Sequence, residues 1–279
     1  MTSMTSNTWK KTPEQLIARM LTPQLLCYDL GPRVKAFSTT RQGGCSQGNY
    51  GESNINSYCG DDSAAVAKNR ELLAHELPIP SASNIFLPHQ VHGKRVIDID
   101  EEFLKGQSVI QDLEGTDALV TNQTGVCIGV STADCIPVIL YDAVHHCAAV
   151  VHAGWRGTVL RIVQEAAKEM YSRYRTDYGQ LLAVIGPGIS LKNFEVGQEV
   201  YDQFEAEHFP MDKIADTISW PKPHIDLKKC NRLQLTDLGV PDQNVFDCGI
   251  CTYDETDRFF SARRLGINSG RIFTGVVLC

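Results

Sequence analysis

One stretch constrains the fold more than any other, residues 116–157, TDALVTNQTGVCIGVSTADCIPVILYDAVHHCAAVVHAGWRG. Ala118–Val120, Cys127–Val130, Ile136–Leu140 and Cys147–Val151 are short apolar runs rich in β-branched residues and bounded by Gly, Asn, Asp or Pro. Such runs without polar alternation predict strands covered on both faces. Reactive groups stand at the strand ends: Cys135 in the TADC turn before one strand, His152 at the close of the next, seventeen residues later. If these two strands pair antiparallel through a turn at Asp142–His145, thiol and imidazole meet at one end of the sheet.

The length of 279 residues allows two domains, or one large domain built from two halves. No apolar run approaches the roughly 18 residues of a membrane span, and Met1–Trp9 is polar rather than signal-like, so a soluble cytoplasmic protein is expected. A net charge of −7 argues against a nucleic-acid binder, which needs a basic face. Most of the ten cysteines, which lack framework spacing, read as reduced thiols.

Along the chain, residues 1–32 read as a lead-in with one short helix, Thr12–Leu21, ended by Pro23. A strand at Val34–Thr40 runs into RQGGCSQGNY, whose glycines allow close approach to a ligand beside Arg41. A helix from Gly60 to about Leu77 precedes strands Ile85–Leu87 and Arg95–Ile99. Between those strands, PHQVHG puts His89 and His92 on a connection, where His89 taken alone reads as solvated. GWRGT opens a helix whose apolar stripe runs from Val159 through Met170 to Tyr174. Gly154 and Gly157 free the backbone beside Arg156, an anion-binding arrangement at a helix start. A strand at Leu181–Ile185, helices from Phe194 to about His208 and over Asp226–Leu238, and strands at Val245–Asp247 and Arg271–Leu278 follow. Cys248-Gly-Ile-Cys251 has no second pair and reads as chance spacing. Interleaved strands and helices without a repeat predict a mixed α/β (α+β) fold.

His92, Cys135 and His152 make a three-ligand set that leaves a fourth tetrahedral position open. Zinc suits it, and lowers the pKa of a bound water to about 7; copper also accepts two histidines and a cysteine. Without metal, Cys135 is a nucleophile with His152 as base. Spacing leaves these open, together with a plain buried thiol beside unrelated histidines.

Taken together, STTRQGGCS, QVHG, TDALVT, TADCIPV, VHAGWRGT, GPGI with FEVG, and CT with FFSARR closely resemble the laccase-domain family, whose members are named polyphenol oxidase, purine nucleoside phosphorylase or peptidoglycan editing factor. The resemblance implies one catalytic domain over residues 33–279, a layered α-β-β-α sandwich of two related halves. It implies a single zinc on His92, Cys135 and His152, phosphorolysis of adenosine, inosine and methylthioadenosine, and adenosine deamination. Purine nucleosides and phosphate are then the partners, with no nucleic acid or membrane. Arg41 and Arg156 are candidates for phosphate, Asn54 for substrate, and Asp134 and Cys135 for catalysis, Asp134 as acid or base. Two positions depart from the family pattern: SARRLG stands for SYRRDG, and Ser53 for a leucine before Asn54. Eight histidines with no H-x-H pair disfavour multicopper laccase chemistry, and the H-x-E with P-C-x-x-C deaminase pattern is missing. A hydrolase editing a peptidoglycan precursor is the main alternative reading, ahead of a copper polyphenol oxidase.

Overall fold

A computed structural model describes residues 21–106 and 113–279. Among the described residues thirteen strands occur in chain order: β1 Leu25–Tyr28, β2 Val34–Thr39, β3 Ile85–Phe86, β4 Val96–Asp98, β5 Ala118–Thr121, β6 Cys127–Thr132, β7 Ile136–Asp142, β8 Cys147–Ala153, β9 Leu182–Ile185, β10 Ala215–Asp216, β11 His224–Ile225, β12 Val245–Asp247 and β13 Ile272–Leu278. One sheet has the order β1-β2-β13-β6-β3 and the other β12-β9-β7-β8-β5-β4, with β10 and β11 as a separate pair. Both large sheets mix parallel and antiparallel neighbours; β3 joins β6 and β4 joins β5 in parallel.

The period of two along each strand sorts side chains into layers. On β8, Ala148 and Val150 face the space between the sheets, where they meet Ile139 and Tyr141 of β7 and Ile128, Val130 and Val276 of the other sheet. Cys147, Ala149 and Val151 face the opposite way, onto Ile162, Val163, Ala166 and Met170 of helix Ile162–Tyr174 and onto helix Leu227–Asp237. Behind the first sheet, Phe37, Cys127, Phe273 and Val277 pack on Leu73 of helix Ser63–His75. The order is therefore helix, sheet, sheet, helix. Both faces of the central strands are covered, which is why they read as continuous apolar runs. Among the described residues, no helix is long and apolar enough to cross a membrane.

Two differences from the sequence reading have physical causes. Leu25–Tyr28, left in the lead-in, pairs antiparallel with β2 as an edge strand, because Tyr28 buries against the core while its hydroxyl bonds Ser38 at 2.8 Å. The helix expected at Thr12–Leu21 lies almost wholly outside the described residues. The helix after GWRGT is two helices, Trp155–Val159 and Ile162–Tyr174, separated by Arg161 in the left-handed region at φ 61°. The Thr158 carbonyl there accepts from Arg161 N at 3.0 Å and from the Gln234 amide at 2.8 Å, which replaces the ladder bond a continuous helix would make.

Candidate metal centre

β7 and β8 pair antiparallel with Pro137 opposite His152 and Ile136 opposite Ala153, so Cys135 and His152 lie at one end of the sheet. His152 shares the parity of Ala148 and Val150 and so lies on the inter-sheet side, 3 % exposed. The third donor, the imidazole of His92, arrives on the loop between β3 and β4. The metal-ligating atoms of His92, Cys135 and His152 all fall within 4.8 Å of one another; among the described residues this is the one such group. The two imidazole rings meet edge to face with centroids 4.7 Å apart.

Asp117, which the sequence reading passed over inside TDALVT, organises this convergence. Its fully buried carboxylate accepts from His152 Nδ1 at 2.7 Å and from the backbone N–H groups of His92 at 2.9 Å, Gly93 at 2.7 Å and Val91 at 3.3 Å. An ionised carboxylate only accepts, so Nδ1 of His152 carries the proton and Nε2 is left to ligate, the carboxylate–histidine arrangement of metal sites. Each such charge-assisted bond contributes roughly 1.5–3 kcal/mol, enough to hold His92 in the left-handed region, where its φ is 62°. The Gln90 side chain fastens the same loop to β6, donating to Ser131 O at 2.8 Å and accepting from Ser131 N at 2.7 Å.

Glycine is required at 154 for space rather than for its φ of −66°. A Cβ there would lie 2.7 Å from Cδ2 of His92 and 3.1 Å from Sγ of Cys135. The electrostatics match the packing. Burial opposes ionisation of the Cys135 thiol, yet the His152 and His92 imidazoles outweigh it and hold the thiol below its usual range. His152 is held above the usual imidazole range by Cys135 and Asp117 despite its own burial. Burial also works against the Asp117 carboxylate, but His152 and the loop N–H groups keep it below the ordinary carboxylate range. Two imidazoles, a thiol that ionises readily and a carboxylate behind one imidazole are a donor set that fits a divalent metal with one position open.

The trio forms part of the wall of a cavity of about 330 Å³, shared with Tyr58, His89 and Arg271. Arg271 is held by the carbonyls of Ile267, Ser269 and Gly270. Tyr58 and Ile267, 45 % and 73 % exposed, give the mouth an apolar edge.

The other residues singled out from sequence stand elsewhere. Arg41 lines a different cavity; its guanidinium bonds the carbonyls of Gly51 at 2.9 Å and Thr256 at 2.7 Å and stacks on Phe260. Arg156 is exposed, with its guanidinium over the Trp155 ring at 4.3 Å. Asn54 is fully buried; it donates to Asp61 at 2.8 Å and accepts from the backbone of Arg271 at 3.1 Å, so it supports the segment carrying that arginine. Asp134 does not line the cavity. Its carboxylate accepts from the Thr252 hydroxyl and from Arg263 N, each at 2.7 Å, and its φ of 90° sets the turn that presents Cys135. Cys251 accepts from Ser190 N at 3.4 Å and from Asn193 at 3.3 Å, and both cysteines of the Cys248–Cys251 pair are free thiols. Arg271 was passed over because it reads as the first residue of a strand; only its place in the cavity wall shared with His89 and His92 marks it.

The sequence profile of the multi-copper polyphenol oxidoreductase laccase family matches residues 35–279. The chain belongs to this family. It is 43 % identical over 249 residues to the purine nucleoside phosphorylase of Bacteroides thetaiotaomicron, spanning 88 % of this chain and 92 % of that protein. It is also 43 % identical over 246 residues to adenosine deaminase RL5 of an unknown prokaryotic organism, spanning 87 % and 93 %. The crystal structure of hypothetical protein YfiH from Bacillus licheniformis superposes with a TM-score of 0.84 at 28 % identity, over 92 % of this chain and 97 % of that one. These structures share the mixed α/β fold.

Proposed function

We propose that this member of the family is a cytoplasmic, zinc-dependent purine nucleoside phosphorylase acting on adenosine, inosine and methylthioadenosine, with adenosine deaminase activity at the same site. The observation that carries the reading is the His92, Cys135 and His152 trio set in the wall of a cavity beside a guanidinium, Arg271. The names of the two relatives at 43 % identity support both reactions. At about 330 Å³ the cavity is of small-molecule size.

His92, Cys135 and His152 would hold the zinc, which when bound supplies Lewis acidity for activating water in deamination. The metal-binding thiolate compensates its charge, and Asp117 orients His152 towards it. In phosphorolysis, Arg271 offers positive charge to inorganic phosphate, its reach limited by the three carbonyls that hold it. Tyr58, exposed at the mouth, offers an apolar face to a purine. Phosphate attacks the sugar carbon as the bond to the base breaks, so a proton must reach the departing purine. Asp134 is assigned a positioning role in place of the expected acid or base, since both its oxygens already accept. Arg41 and Arg156 are not assigned to phosphate.

The test is product analysis on zinc-loaded protein. Ribose 1-phosphate and free base should appear from inosine only with phosphate present, whereas adenosine should yield inosine without it. Base release unchanged by omitting phosphate overturns the phosphorylase reading. Inertness towards every purine nucleoside, with cleavage of a cell-wall precursor amide, would instead establish a hydrolase.

A further inference from the structure

We propose that His89 is the general acid that protonates the departing purine, and that Glu114 is the residue that positions it. This deepens the phosphorylase reading and rests on it. His89 opens HQVHG, three residues before the ligand His92, and its ring lines the same cavity as the trio. A nucleoside filling that space contacts both.

The arrangement around the ring is that of an oriented imidazole rather than a solvated loop histidine. The Nδ1 atom lies 2.6 Å from Glu114 Oε1. An ionised carboxylate accepts only, so Nδ1–H donates to it and Nε2 is the nitrogen left for substrate. The backbone holds the pair in register: His89 N donates to Leu113 O at 3.2 Å and Gly115 N to His89 O at 3.0 Å, forming a parallel bridge between the two segments. Tyr58 stacks on the imidazole with centroids 4.3 Å apart and planes 22° from parallel, which restrains the remaining ring rotation. Register, carboxylate and stacking therefore fix a proton donor at a cavity wall, and the side chain is 40 % exposed, so the proton can be replaced from solvent.

The step balances without another reactant. A phosphate oxygen forms the bond to C1′ of the ribose, the C1′–N9 bond breaks, and its electron pair passes to the purine. The imidazolium of His89 gives its Nε2 proton to N7, the neutral purine departs, and water returns the proton to His89.

The test compares inosine with 7-methylinosine, whose base already carries the charge that protonation would supply and leaves without a donor. With phosphate present, His89→Gln and His89→Phe should each lose about 100-fold in kcat on inosine, within the range for a positioned acid, and should keep the 7-methylinosine rate close to that of the parent protein. Glu114→Gln should shift the inosine to 7-methylinosine ratio in the same direction by less. Zinc content of all three should match the parent, which separates loss of the donor from damage to the metal centre. An aromatic ring at 89 preserves stacking with Tyr58 but not proton donation, so parental activity of His89→Phe on inosine would overturn the assignment in favour of a stacking platform. Equal losses on both nucleosides at full zinc content would also overturn it. If the parent protein releases base from neither nucleoside, the phosphorylase reading fails and this assignment with it; a working parent with unaffected variants refutes the assignment alone.

Discussion

Gly154→Ala tests whether the trio depends on close packing at one backbone position. The added methyl carbon would sit 2.7 Å from Cδ2 of His92. Ordinary carbon contacts are roughly 3.5–4.0 Å, so the imidazole must retreat by about 1 Å. The atom struck is bonded to Nε2, and the same methyl also presses on Cys135 Sγ from 3.1 Å. Metal–ligand distances tolerate about 0.2 Å, so a displacement of this size should weaken metal binding by at least the 10- to 100-fold typical of outer-shell damage. The backbone itself accepts alanine at φ −66°, and Gly154 precedes the short helix Trp155–Val159, where a poorer cap costs about 1 kcal/mol. The fold should therefore survive with a melting temperature only a few degrees lower. Chelator competition followed by elemental analysis measures the affinity, with circular dichroism as the control. Parental affinity at one metal per chain would refute the argument that glycine is needed here for room.

Three further outcomes are expected. Asp117→Asn removes the carboxylate shared by His152 and the His92 loop, and should lower metal affinity by about 10- to 100-fold in the same competition assay. In phosphorolysis assays, Arg271→Ala should raise the Michaelis constant for phosphate more than that for inosine, and by more than Arg41→Ala or Arg156→Ala does. Asp98 is raised to about 6 by burial, against the hydrogen bond from Tyr174 and the Arg173 charge. The native state then holds a proton that the unfolded chain, with an ordinary carboxyl near 3.8, has lost. Its contribution should accordingly favour the native state as pH falls from about 6 towards 4. Denaturant titrations across that range should show this slope, and Asp98→Asn should abolish it.

Read alone, the sequence was sufficient for the parts governed by local pattern. Continuous apolar runs at β5 to β8 pointed to strands covered on both sides, and the short Asp142–His145 turn suited an antiparallel pairing of β7 and β8, which the structure has. Strand parity then carries His152 to the inter-sheet side, and the turn before β7 carries Cys135 to the same end. The donor types of the candidate metal centre were legible for the same reason, since softness and charge belong to the side chain and not to its surroundings. What tertiary structure decided was which distant groups reach the cavity. Arg41 and Arg156 have glycine-rich neighbours like those of a phosphate site, but neither lines the cavity of the trio, whereas Arg271, itself held by carbonyls, arrives there from the far end of the chain. Asp134 sits beside a ligand in sequence yet points its carboxylate at Thr252 and Arg263, because its left-handed backbone turns it away from Cys135. Asp117 and Glu114 took their roles only from three-dimensional neighbours, one orienting His152 and the other fixed against His89. Spacing along a chain determines which residues share a face of one element; the meeting of separate loops at a sheet end depends on how the two sheets pack, and no local pattern encodes that.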